Sequence, residues 1–281
     1  MKIVPIPPHA GNVDGWEQVP IDGSSEPLVA IGQGTHYPLL TSAVYAGEHL
    51  HSPYRGDNVI QAASTTIAVR QSVAERLVHA ESLLPDGLRL IVFDGYRSVE
   101  VQQALFDQFL EALRLQHSAM NDSDLVTETE KYVALPSHDA TKPSPHSTGG
   151  AVDVAIISDN AMIEFGTPFD HGSERSALRY FEDASQVLTQ KDSEARDNRR
   201  LLYAVMHAAG FEGYQHEWWH YNAPETQMGA RAAKLARSFF GHAQEGLARG
   251  AQHSESQFSA YGSSEEVIAQ IDRISPVDQV V

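Results

Sequence analysis

Two stretches of this chain carry residue types and spacings suited to metal-assisted hydrolysis: Ser144-Pro-His-Ser-Thr-Gly-Gly-Ala-Val-Asp153 and His216-Glu-Trp-Trp-His220. His146 and Asp153 are seven positions apart and can meet on one ion only if the chain bends between them. Gly149-Gly150 supplies backbone that tolerates positive φ for such a bend. The run Ala-Val-Asp-Val-Ala-Ile-Ile that follows, residues 151 to 157, has the unbroken apolar character of a buried strand. Asp153 would then ride on a rigid element. A carboxylate in so apolar a run is costly to bury unless it is paired or metal-bound, which makes Asp153 a sharper clue than any single histidine of the fourteen in the chain. His220 is the best candidate for a third ligand. One His, one Asp and one His leave the fourth tetrahedral position of a zinc ion open for water.

His216-Glu217-x-x-His220 also spells the helical zincin signature. That motif needs a helix, and the aromatic run Gly213-Tyr-Gln-His-Glu-Trp-Trp-His-Tyr221 favours a strand. Four residues of strand span roughly 13 Å, too far for two ligands on one zinc. His216 is therefore set aside. Glu217 remains as a general base beside His220, and because three residues separate opposite faces of a regular strand, a bulge or strand end must bring both to the metal. Trp218 and Trp219 are expected to pack in the core.

Arg97 lies where a strand meets a helix. It reads either as a surface cation or as a clamp for a carboxylate or developing oxyanion. Asp94, in the same turn, is expected to be structural. Asp170, after Gly166-Thr-Pro-Phe, is either a turn residue or the partner of a substrate ammonium.

The elements that must position these groups follow from periodicity and punctuation. Residues 1 to 40, rich in Pro and Gly, predict an extended arm wrapping a core. A helix is expected from Thr65 to Leu84, a strand over Leu88 to Phe93, and a helix capped by Ser98 running to Gln116 with Leu105, Phe106, Phe109, Leu110 and Leu113 on one face. Residues 117 to 143 are polar and read as a loop over the site. An amphipathic helix is expected over Asp197 to Ala209, stopped by Gly210, then one aromatic strand from Phe211 to Asn222 and an Ala-rich helix from Pro224 to Gly241. These elements divide the chain into an arm (1 to 40), a catalytic domain (41 to 241) and a peripheral C-terminal extension (242 to 281).

At 281 residues the chain can bury a sizeable core, and 42% hydrophobic with 20% charged residues is ordinary for a globular protein. A formal charge of −17 disfavours nucleic acid or an anionic membrane as partner. The absence of cysteine leaves His, Asp and Glu as the metal-binding repertoire. No run approaches the roughly 20 apolar residues of a membrane span, and Met-Lys-Ile-Val-Pro-Ile-Pro-Pro lacks the apolar core of a leader, so a cytoplasmic location is expected.

Ser144-x-His146-x-x-Gly149-x-Ala151-x-Asp153, Glu217-Trp-Trp-His220 and Asp94-Gly-Tyr-Arg97 together resemble the D-alanyl-D-alanine dipeptidases of the VanX type, which stand among the zinc D,D-peptidases of family M15. Gly166-Thr-Pro-Phe-Asp170 and Asn198-Arg-Arg are similar to the dipeptidase branch. The resemblance spans roughly residues 45 to 222. It implies one zinc on His146, Asp153 and His220, with Glu217 as base and Arg97 stabilising the tetrahedral intermediate. It further implies Ser144 near the substrate carboxylate, and Asp170 with Tyr45 on the substrate amine side. The expected fold is α+β, a small, mainly antiparallel sheet flanked by helices. The expected activity is hydrolysis of D-Ala-D-Ala or related D,D-dipeptides. A murein carboxypeptidase or endopeptidase with the same metal chemistry, and a catalytically silent metal-stabilised binding module, are the alternatives.

Overall fold

The computed structural model describes residues 3–11, 14–20, 26–48, 54–139, 141–159, 161–183 and 185–235. The C-terminal extension expected over 242 to 281 lies outside them, as does the expected helix beyond residue 235.

The core is a mixed sheet whose central strand is β5 (Ala151–Ser158), buried along all but its last residue, as its apolar run requires. β4 (Leu88–Asp94) pairs antiparallel on one side of β5 and β8 (Glu217–Asn222) on the other. Two short strands extend the edges: β2 (Leu40–Thr41), parallel to β4, and β7 (Glu212–Tyr214), antiparallel to β8. β6 (Ala161–Met162) turns back on the end of β5. The sheet is thus mainly antiparallel with helices around it, the expected α+β class.

α1 (Gln71–Ser82) buries Val73, Ala74, Leu77 and Ala80, and α4 (Gln190–Ala208) buries Leu201, Leu202, Val205 and Met206. α2 (Val99–Gln116) starts as the sequence predicts, with the Ser98 hydroxyl accepting from the Val101 amide. Gly210, at φ 86°, ends α4; a Cβ there would lie 2.3 Å from Arg76 Nη1.

Four element boundaries differ from expectation. Residues Ala68–Arg70 form β3, paired with β1 (Leu28–Ala30), so the helix expected from Thr65 begins only at Gln71. Val69 sits at helical spacing by coincidence and is fully buried in that strand. The 117 to 143 stretch contains a helix, α3 (Asp122–Thr129), capped by Asn121 and held by buried Leu125 and Thr129. α4 starts seven residues before Asp197, at a capping box in which Thr189 and Asp192 bond reciprocally. The single strand expected over Phe211 to Asn222 is a hairpin, β7 and β8, turning at Gln215-His216.

The arm is anchored to this core at several points. Ile6 and Ala10 are buried, the Gly11 amide donates to Glu212 at 2.9 Å, and Gln227 Nε2 donates to the Val19 carbonyl at 2.9 Å. Residues 227–235 are helical. Among the described residues, no helix is long and apolar enough to cross a membrane.

Candidate metal centre and active site

The register of the central sheet brings the candidate ligands together. Asp153 on β5 stands opposite His220 on β8 and, across a bulge after Val92, opposite Asp94 on β4. His146 arrives from a 3-10 turn, His146–Thr148, closed by Gly149 at φ 73°. A Cβ on Gly149 would lie 2.6 Å from Leu28 Cδ2, so both conformation and space require glycine there. Gly150 has a different reason: its Cβ would meet Glu225 Cβ at 2.7 Å.

Three donor atoms form a near-equilateral triangle. His146 Nε2 lies 3.2 Å from His220 Nδ1 and 3.5 Å from Asp153 Oδ1, and His220 Nδ1 lies 3.1 Å from Asp153 Oδ1. Ligands about 2.0–2.1 Å from a tetrahedral ion are separated by about 3.3 Å, so this triangle has the dimensions of one face of such a tetrahedron. His146 Nδ1 is 2.8 Å from the Gly95 carbonyl, which fixes the proton there and turns a lone pair on Nε2 toward the other two donors. All three side chains are buried. Burial lowers the His220 pKa, only partly offset by its hydrogen bond to Asp153, and so favours the neutral imidazole that a metal needs. Burial alone would raise the Asp153 carboxyl, yet His146 and His220 hold it below the ordinary carboxylate range. The donor set and its spacing fit zinc. His216 is at the hairpin turn, apart from this cluster.

Glu217 Oε2 lies 3.9 Å from His220 Nδ1. The register of the hairpin shifts between Gly213 and Tyr214, so β8 carries the bulge that turns both Glu217 and His220 to one side. Burial, then the charges of Asp153 and Asp170, push the Glu217 carboxyl well above its usual pKa, with Arg97 opposing. The neighbouring tryptophans divide: Trp218 is fully buried, stacked on Phe165 and donating to Thr167 at 2.9 Å, whereas Trp219 is buried yet also lines the cavity.

Arg97 is buried and held on several sides. Its Nε and Nη2 donate to Asp94 Oδ2 at 2.9 and 2.7 Å, Nη1 donates to Gln102 Oε1 at 2.9 Å, and Nη2 also reaches the Tyr45 hydroxyl at 3.3 Å. Burial works against its charge, but Asp94, Tyr45 and Asp153 together hold it firmly protonated. Asp94 thus has a definite task, to aim the guanidinium at the site. Nη2 is 3.7 Å from Asp153 Oδ2, so Arg97 borders the metal cluster directly.

Asp170 stands in the left-handed region, φ 59°, unusual for a residue with a side chain and a conformation that functional sites retain. Its carboxyl accepts a short hydrogen bond from the Tyr54 hydroxyl. Burial raises its pKa to about 6; the Tyr54 bond opposes that rise and the Asp153 charge adds to it. Tyr45 and Tyr54 pack edge to face, centroids 4.7 Å apart, and both stay neutral because burial raises their phenols. Tyr54 and Gln102 carry no motif and escape sequence reasoning. Ser144 is buried with its hydroxyl 2.7 Å from that of Ser147, and it does not line the cavity.

The cavity enclosed by these groups measures about 180 Å³. Its walls include Tyr45, Tyr54, Arg97, Asp170, Glu217 and the metal cluster, together with residues 130–134 after α3 and Trp16 from the arm. Sites for drug-sized ligands run to roughly 300–1,000 Å³, so this one suits a smaller molecule. Four carboxyl groups, Asp94, Asp153, Asp170 and Glu217, share the field of one guanidinium, Arg97. Burial and this crowding of carboxyls both raise the proton affinity of Asp170 and Glu217, and a divalent cation or a cationic ligand group would offset them.

The family described as D-ala-D-ala dipeptidase matches residues 39–245. A D-alanyl-D-alanine dipeptidase of Synechocystis sp. is 28% identical over 222 residues, 73% of this chain and 84% of its own. A protein of the same name from Enterococcus faecalis is 28% identical over 158 residues, 56% of this chain and 71% of its own. Among solved structures, VanYB in complex with D-alanine-D-alanine aligns at a TM-score of 0.39 and 20% identity, covering 60% of this chain and 77% of that one.

Proposed function

The chain belongs to the D-ala-D-ala dipeptidase family and is a peptidase, and from that premise we propose that it hydrolyses D-Ala-D-Ala or closely related D,D-dipeptides at a single zinc ion held by His146, Asp153 and His220. The observation that carries this reading is the triangle of donor atoms beside Glu217, Arg97 and Asp170 in one small cavity. Zinc bound there would supply Lewis acidity, lowering the pKa of a water and polarising a peptide carbonyl.

The residues of the chain supply the rest. Glu217, in a desolvated position where its proton affinity is raised, accepts a proton from the attacking water and returns it to the leaving amine. Arg97, fixed by Asp94 and Gln102, presents charge to the oxygen that becomes negative in the transition state. Asp170, oriented by Tyr54, pairs with the free ammonium of the dipeptide. Tyr45 packs beside both Arg97 and Tyr54 and shapes that end of the cavity. A blocked amine would leave the Asp170 carboxylate with the Tyr54 hydroxyl but without a cationic partner, and the small volume of the cavity favours a short peptide. Ser144, bonded to Ser147 behind the His146 turn, supports this reading as a shaper of the loop that carries a ligand. The formal charge of −17 and the small cavity suit a small peptide rather than a nucleic acid or a membrane as partner.

The test is a substrate panel. Purified zinc-loaded protein is expected to release D-alanine from D-Ala-D-Ala and to leave L-Ala-L-Ala and N-acetyl-D-Ala-D-Ala intact, with activity abolished by a chelator. Cleavage of the acetylated peptide at a similar rate would move the enzyme to the carboxypeptidases.

A further inference from the structure

Gln102 is a neutral amide in the first turn of α2, on the stripe that continues through buried Leu105 and Phe106, and it is itself 1% exposed. A polar side chain at such a position is tolerated only if its donors and acceptor are matched. Its two ends meet partners of opposite kind. The guanidinium of Arg97 can only donate, so Oε1 must face it, and does at 2.9 Å. The Ala134 carbonyl can only accept, so Nε2 must face it, and does at 2.6 Å. Neither a carboxylate nor an apolar side chain reproduces both contacts.

Those partners belong to different parts of the site. Arg97 comes from the β4 to α2 junction. Ala134 belongs to the wall segment 130–134 that lines the cavity. Up to Val133 that segment is held by amide bonds of Tyr132 and Val133 to the Thr129 carbonyl, and residues 134–139 have no regular secondary structure. The Gln102 amide is therefore a clasp at Ala134, where the hydrogen-bonded turn that follows α3 gives way to irregular chain.

We propose that Gln102 is a positioning residue that ties the cavity wall at 131–134 to the Arg97 guanidinium, so that one side chain sets both the enclosure of the substrate and the aim of the cation. The proposal rests on the dipeptidase reading for the substrate, while the tether itself is independent of it. Gln102 acts through Arg97 and the wall and does not itself take part in the reaction.

Two variants separate its halves. Gln102→Glu keeps an acceptor for Arg97 but sets a carboxylate against the Ala134 carbonyl, so the wall is released while the guanidinium stays held. Gln102→Met, of similar length, loses both. Amide hydrogen exchange over residues 131–135, read on the full chain, is expected to accelerate at least about ten-fold in both variants, as the loss of one buried hydrogen bond implies. With D-Ala-D-Ala, Gln102→Glu is expected to raise KM about ten-fold with kcat within about three-fold, whereas Gln102→Met also lowers kcat by about ten-fold or more. Thermal melts of both proteins show whether they fold, and Gln102→Glu serves alone where Gln102→Met does not. Unchanged exchange in the wall, or an unchanged KM despite faster exchange, overturns the proposal. A wild-type protein that ignores D-Ala-D-Ala would refute the functional reading instead, and the exchange rates would still decide the tether.

Discussion

Asp153 and His220 face each other on adjacent antiparallel strands, with His220 Nδ1 3.1 Å from Asp153 Oδ1. Two ligands of the candidate metal site are thus set by strand register, and only His146 depends on a turn. Such a site is preformed by the fold rather than assembled by loops. Asp153→Ala is expected to lose bound zinc and to reduce kcat/KM by more than about 100-fold, since even outer-shell changes at metal sites cost 10–100-fold. Metal content by elemental analysis, read beside the rate, checks this.

Glu217 should separate chemistry from metal binding. Glu217→Gln preserves shape and leaves the donor triangle intact, so zinc stoichiometry should match the wild type while kcat falls by about 10²–10⁴, the usual range for a lost general base. Equal loss of metal and activity would place Glu217 among the ligands instead.

Arg97 is held by a fork of two bonds to Asp94 Oδ2, a geometry that an ammonium cannot copy. Arg97→Lys keeps the charge but loses the fork. A kcat reduced by roughly 10²–10³ with unchanged metal content is expected, the range for a missing transition-state donor. Steady-state kinetics with zinc quantified in the same samples would show it.

Asp170 should trade stability for binding. Its folded pKa of about 6 lies above the ordinary carboxyl value of 3.8, so between those values the folded chain holds a proton that the unfolded chain releases. Ionised Asp170 therefore destabilises the fold as pH rises through about 6, and the penalty is fully present at neutral pH. Asp170→Asn in metal-free protein should melt higher than the wild type at pH 7, by a gain of order 1 kcal/mol or more, and the gain should shrink toward pH 4. The same variant should raise KM for D-Ala-D-Ala by roughly 100-fold. Thermal melts at the two pH values, with kinetics at pH 7, test both halves.

Much of this site is legible in the sequence because its key groups break local patterns. Asp153 interrupts an apolar strand, Gly149-Gly150 marks the turn that carries His146, and three-residue spacing of Glu217 and His220 demands the bulge that β8 contains. The boundary errors have local causes. Val69 and the α1 residues share a spacing that either strand or helix accommodates, and Thr189 with Asp192 lies in a charged stretch whose capping chemistry outweighs its weak amphipathicity. Gln215-His216 turns without a glycine inside an aromatic run. What no local pattern shows is long-range pairing. Tyr54 meets Asp170 across 116 positions, and Gln102 meets Ala134 across 32.

The central claim is tested most directly by titrating metal-free protein with zinc while following D-alanine release from D-Ala-D-Ala. Activity should rise in proportion to added zinc and level off at one ion per chain. Full activity before zinc is added, or a fully loaded protein that leaves the dipeptide intact, would contradict the account.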